Sequence, residues 1–158
     1  MKAENLHALI PVALGAGLLL SIYAAYETVN PAAQSSCSFT AFFSCGKVVE
    51  SGRTTTLGIA DYWYGIGGFL AMIAVDVPLY RTWDRSWLKA FLALSTLGLI
   101  LSVYLFALET FEIGAICPVC LGTYIANGIA LAAAVVLWRN GRPDRIRSGS
   151  PVDPTSPG

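Results

Sequence analysis

The sequence predicts an all-α integral membrane protein, a bundle of four transmembrane helices with an extracytoplasmic cap loop. Three observations carry that expectation. Hydrophobic residues make up 55% of the chain and charged residues only 13%, where an ordinary soluble domain has about 25% charged. Mean hydropathy is +0.61. The apolar residues are gathered into four runs, each long enough to cross a bilayer. A length of 158 residues suits one domain, placed at residues 1–139 and followed by a tail at 140–158.

Several function classes lose their usual support. The formal net charge is zero, so nothing points to nucleic acid. Neither a P-loop nor a dinucleotide-binding glycine motif occurs. The single histidine, His7, lies far from the cysteines, so a Cys/His metal site is poorly supplied and no metal is expected.

The first span is read at Ala8 to Tyr26, whose nineteen residues cover roughly 28 Å at 1.5 Å per residue. A cleaved signal peptide would have a shorter apolar core. Residues 27–61 break the pattern with Pro31, many serines and threonines, and Cys37 and Cys45. Such a segment cannot satisfy its backbone inside lipid, so it reads as a structured cap loop. A short helix is expected near Gly46 to Ser51, with Val48 and Val49 resting on the membrane surface.

Three more spans follow, at Tyr62 to Tyr80, Leu88 to Leu108 and Ala115 to Trp138. Gly65, Gly98, Ser95, Ser102 and Gly122 recur along them and permit close helix approach. Trp63, Tyr80, Trp87 and Trp138 stand near run ends, as an interfacial aromatic belt requires. Short connections make neighbours in sequence antiparallel neighbours in space. With both termini cytoplasmic, that side carries Lys2, Arg81, Arg85, Lys89, Arg139, Arg142, Arg145 and Arg147, against Lys47 and Arg53 outside. This positive-inside bias puts the loop cysteines and Cys117 on the extracytoplasmic side of a multi-pass cell membrane. The tail, rich in proline, serine and glycine, is expected to be disordered in the cytoplasm.

The chemistry is concentrated in Cys117-Pro118-Val119-Cys120, followed by Tyr124 and Asn127. Spacings of three, four and three place two thiols, a phenol and an amide on one helix stripe. Pro118 suits the first helical position, and the unpaired N–H groups of that turn can hold an anionic sulfur. A deep thiol beside a phenol and an amide suits a lipid-soluble acceptor whose carbonyl oxygens need donors. Singly, each of these residues would pass as bundle packing. A second cysteine pair on the same, oxidising side points to a redox relay. Cys37 and Cys45 would be about 12 Å apart in a helix, so they pair only across a bent loop. Alternatively, one of them reaches Cys117.

Of the charged groups, Asp76 reads as a snorkelling surface residue near the cytoplasmic end of its helix. Glu109 and Glu112 read as solvated loop residues before the C-x-x-C. Asp61 heads the second span and has two readings, an N-cap or a group facing a quinone.

Taken together, the cysteine motifs resemble the vitamin K epoxide reductase family. The matching features are the pair Cys37/Cys45 in C-x7-C spacing, Ser51 six residues on, Leu57-Gly58, Gly65, and C-P-V-C-x-x-x-Y-x-x-N from Cys117 to Asn127. They cover roughly residues 8 to 138. The resemblance implies a four-helix bundle around a pocket for a quinone of menaquinone, ubiquinone or vitamin K type. It implies that Cys37 exchanges with a reduced thioredoxin-like partner and that Cys45 attacks the Cys117–Cys120 disulfide through Cys117. Cys120 then resembles the thiolate that donates to the quinone. Ser51 resembles the family's supporting loop Ser/Thr, and Tyr124 a hydrogen-bond partner of the quinone, with Asn127 beside it. Asp61 falls where vertebrate members have an asparagine, and a carboxyl can donate there only when protonated. Some bacterial members carry a fused thioredoxin-like domain; here the partner is expected in trans. The function expected is a membrane thiol–quinone oxidoreductase supporting disulfide formation. Its alternatives are a vitamin K quinone and epoxide reductase, a four-span scaffold with static disulfides, and a metal carrier.

Overall fold

The computed structural model of the chain describes residues 3–82 and 84–140; the tail expected at 140–158 lies, beyond its first residue, outside them. Four long helices dominate: α1 (Ala3–Val29), α4 (Asp61–Thr82), α5 (Arg85–Leu108) and α6 (Pro118–Asn140). Each contains a stretch long and apolar enough to cross a membrane. Between α1 and α4 lie two short helices, α2 (Pro31–Ser36) and α3 (Cys45–Glu50), and a two-stranded hairpin of β1 (Thr55–Thr56) and β2 (Ile59–Ala60). The all-α, four-span bundle expected from hydropathy is therefore the fold.

Local chemistry sets the element ends. Asp84 accepts the Ser86 N–H at 3.0 Å and starts α5. Asn30 accepts the Ala32 N–H at 3.0 Å, and Pro31 follows as the first residue of α2. Ser44 accepts from Lys47 and starts α3. The hairpin turns on Leu57 and Gly58, both at positive φ (54° and 80°), as a two-residue turn matched to strand twist requires. After α5 the helix continues through one π-helical turn, Glu109–Ile113, and stops at Gly114 in the left-handed conformation.

The four spans close into a ring in which α1 packs on α4 and α6, and α5 packs on the same two. Ile10, Leu14, Leu79, Phe91, Ala130, Ala134 and Leu137 form its lower core. Lipid is as apolar as these side chains, so contact here depends on fit. The small stripe Ala126, Ala130, Ala133 and Ala134 lets α6 sit close to its neighbours. Gly98 is a close approach on the site side: a methyl there would lie 3.0 Å from Asn127 Nδ2. At the opposite end the Arg85 guanidinium stacks over the Trp138 ring at 5.3 Å.

Three sequence expectations are corrected. The first helix runs to Val29, past Tyr26, and so carries Glu27 into the bundle. Asp76 does not snorkel to the surface. It follows Phe69 and Met72 and precedes Leu79 on the buried stripe of α4, and Oδ1 has no hydrogen-bond partner among the described residues. Its position three to four residues from buried neighbours turns it inward. Val48 does not rest on the membrane surface but is buried beneath the cap, against the cysteines.

Candidate functional site

The cap and the start of α6 are stitched together by backbone. The Ile116 N–H donates to Phe42 O at 2.7 Å, and Ile116 O accepts the Ser44 N–H at 3.1 Å. This short parallel bridge puts the next residue of each strand side by side, and those residues are Cys45 and Cys117. Their sulfurs are 3.3 Å apart. Cys37 ends α2 and Cys45 begins α3, so the bent chain between them brings their Cα atoms to 5.6 Å and a disulfide joins them. Cys117 and Cys120 are free. Cys37, Cys45 and Cys117 are all buried, with Val48, Ala115 and Val119 around them.

Pro118 opens α6, and the Leu121 N–H bonds back to Cys117 O at 2.9 Å. The Cys117 sulfur lies at the N-terminal end of α6, with the Cys120 N–H 3.4 Å away. Glu109 stands opposite that turn and is not solvated, correcting the sequence reading. It is only 5% exposed. Oε2 accepts the Cys117 N–H at 3.1 Å, Oε1 accepts the Tyr124 hydroxyl at 3.0 Å, and the carboxyl also lies against the Cys120 thiol. The physical cause is the π-helical turn, which keeps residues 109–113 wound into the bundle where a loop was expected. Glu112, in the same turn, does face outward and pairs with Arg53 across the cap.

Beneath these groups is a cavity of about 150 Å³, a size that holds a single aromatic ring. Phe69, Met72, Leu101 and Leu105 give it apolar walls, and Cys117, Cys120, Tyr124, Asn127, Asp61 and Glu27 supply its polar points. The stripe expected on α6 is thus real and faces one space. Asn127 also bridges helices, its Nδ2 donating to Ser95 O at 3.2 Å, while Oδ1 has no partner among the described residues. Asp61 begins α4. Its carboxyl lies against Thr56, and Oδ1 is likewise buried and unpartnered. Ser51 is held apart from the cysteines at the far end of α3, bonding Val48 O at 2.6 Å and accepting the Arg53 N–H at 3.2 Å.

One grouping of metal-ligand side chains occurs among the described residues: donor atoms of Glu27, Cys37, Cys45 and Cys117 lie within 4.8 Å of one another. With the Cys37–Cys45 bond closed, two of these sulfurs are not thiolate donors. The remaining pair falls short of the four ligands of a structural zinc site.

Comparison with known proteins places the chain in a family. The family model described as the vitamin K epoxide reductase family matches residues 8–135. The chain belongs to that family. No individually curated protein matches it. Membership assigns the coarse functional class, membrane thiol and quinone oxidoreductase chemistry, to a chain with four spans and a disulfide in its cap.

Two buried carboxyls of this vitamin K epoxide reductase family chain escaped the sequence reading. Glu27 looked like the first polar residue after a span, and Glu109 like part of a polar loop. A signal for Glu109 exists in retrospect. The nine residues from Glu109 to Cys117 contain a single glycine, Gly114, and no proline, so little stops a helix there before Gly114. Nothing local marks Glu27.

Proposed function

We propose that this chain is a thiol–quinone oxidoreductase that relays electrons from a thioredoxin-like dithiol, through Cys37/Cys45 and then Cys117/Cys120, to a quinone. The observation that carries this reading is the contact between the Cys45 and Cys117 sulfurs, with Cys45 already bonded to Cys37. A thiol–disulfide exchange needs an attacking sulfur beside a bonded one, and this pair meets that need with no rearrangement of the helices.

One thiolate of the partner dithiol attacks Cys37 and frees Cys45, and the second partner thiol then releases Cys37 as the partner leaves in its disulfide form. Cys45 then attacks Cys117 of the Cys117–Cys120 disulfide, Cys120 leaves, and Cys37 closes on Cys45 to release Cys117. Two electrons have moved inward. The Cys117/Cys120 dithiol reduces the quinone to quinol and becomes a disulfide again, so one partner dithiol is oxidised per quinone reduced. Tyr124 and Asp61 are assigned to the quinone oxygens and Asn127 to the cavity floor. Ser51 supports the end of α3. Glu109 holds Tyr124 and the Cys117 N–H in place. The cysteines face the extracytoplasmic side and both termini the cytoplasm, by the charge asymmetry of the loops.

The test is turnover of the purified chain with menadione. Cys117→Ala or Cys120→Ala is expected to abolish it, whereas Cys37→Ala spares turnover driven by dithiothreitol, which reaches the inner pair directly. Equal loss in all three would overturn the order of transfer.

A further inference from the structure

Glu27 has no role in the relay described so far, yet it is placed where the relay crosses from cap to bundle. It lies in the last turn of α1 and is 2% exposed. Its carboxyl and the sulfurs of Cys37, Cys45 and Cys117 all fall within 4.8 Å of one another. Oε1 has no hydrogen-bond partner among the described residues. The nearby bonds of Asn30 and the Gln34 side chain go to the Glu27 backbone carbonyl, not to the carboxyl. The two cap cations are engaged elsewhere: Arg53 pairs with Glu112, and Lys47 Nζ donates to Ala41 O. A buried, unpaired carboxyl is costly to a fold, so its presence among three reactive sulfurs calls for a chemical reason.

The exchange supplies one. Only a thiolate attacks a disulfide, and the leaving sulfur must later recover a proton. The sulfurs here are buried, so the proton needs an acceptor inside the cluster. We propose that Glu27 is that acceptor, the proton-transfer group for the hand-over between the two cysteine pairs; this rests on the relay reading above.

In the first exchange Cys45 gives its proton to the Glu27 carboxylate as its sulfur bonds to Cys117. The Cys117–Cys120 bond breaks, and Cys120 leaves as a thiolate. Glu27 releases the proton into the cavity, where Cys120 takes it up. In the second exchange Cys37 gives its proton to Glu27 as its sulfur bonds to Cys45, the Cys45–Cys117 bond breaks, and Cys117 recovers that proton. Two protons and two electrons pass from the cap pair to the bundle pair, one disulfide forms and one breaks, and Glu27 ends as it began. Its reach suits both steps because Cys37, Cys45 and Cys117 surround it.

The experiment follows the fully reduced, detergent-solubilised full chain after mixing with menadione, trapping free thiols by alkylation at successive times. In the unsubstituted protein the Cys117/Cys120 pair is oxidised first and the Cys37/Cys45 pair later, by hand-over. Glu27→Gln is expected to slow the second phase by roughly 100-fold, the low end of general acid–base effects, and the first phase far less. Glu27→Asp, which keeps a carboxyl, is expected to recover a large part of that loss. A Gln variant with an unchanged second phase would overturn the Glu27 role while leaving the relay intact. Equal slowing of both phases, failure of the Gln variant to fold, or an Asp variant as slow as Gln would assign Glu27 to structure and overturn the proposal. If menadione oxidises no cysteine of the unsubstituted protein, the relay reading itself fails.

Discussion

Replacing Glu109 with Gln tests how the deep thiols are held. Its two oxygens accept from two different donors, the Cys117 N–H at 3.1 Å and the Tyr124 hydroxyl at 3.0 Å. A glutamine keeps one acceptor and turns the other into a donor, so one of these bonds is lost and the other passes to a neutral amide oxygen. A buried bond to a charged acceptor contributes about 1.5–3 kcal/mol and a neutral one about 0.5–1.5 kcal/mol. Losing one and weakening the other therefore costs about 2 kcal/mol, roughly thirtyfold in an equilibrium constant. Glu109→Ala goes further and strands two buried donors at about 1–3 kcal/mol each. The expected order of stability is unsubstituted protein, then Gln, then Ala, read by denaturant titration in detergent. Tyr124→Phe should cost less than Ala and should be non-additive with Gln, because both remove the same bond. Menadione-driven oxidation of Cys117 and Cys120 should fall in the same order, since both groups frame that pair. A Gln variant as stable and as fast as the unsubstituted protein would refute the view that Glu109 organises the turn. So would an alanine no worse than glutamine.

Two further outcomes are expected. In Cys37→Ala the Cys45 sulfur loses its partner but keeps Cys117 at 3.3 Å; mild oxidation should then join Cys45 to Cys117, visible by peptide mapping without reductant, and a Cys45 that stays free would contradict the contact. Gly98→Val should destabilise by about 1–3 kcal/mol through overpacking, because a β-carbon there already lies 3.0 Å from Asn127 Nδ2, and adding Asn127→Ala should recover part of that loss in a thermal melt.

Much of the fold was legible because lipid imposes a simple rule. Four apolar runs had to become four helices, since no other structure satisfies a backbone within lipid from a single segment. The stripe of Cys117, Cys120, Tyr124 and Asn127 was legible for a related reason: helical periodicity fixes which side chains share a face, whatever surrounds them. The edges of those runs were less readable. Hydropathy ended α1 at Tyr26 and the third span at Leu108, while the helices continue to Val29 and, through the π-helical turn, to Ile113. Those few residues carry Glu27 and Glu109, so the carboxyls nearest the chemistry fell in segments that polarity alone assigns to loops.

The sequence by itself determined the number of spans, the end of the bundle where the basic residues gather, and the presence of two cysteine pairs. Each follows from local composition or spacing. Only the tertiary structure decided which sulfurs meet. Cys45 and Cys117 are 72 residues apart, and they are brought together by the backbone bridge between Phe42, Ser44 and Ile116 and by α1 lying against α6. The same packing decided the fate of the acidic residues. A carboxyl at the end of an apolar run is solvated or buried according to what the rest of the bundle places over it. For Glu27 that is a contact between segments distant in sequence, which no local pattern encodes; for Asp76 and Glu109 helical spacing sets the face, and the packing of neighbouring helices closes over it.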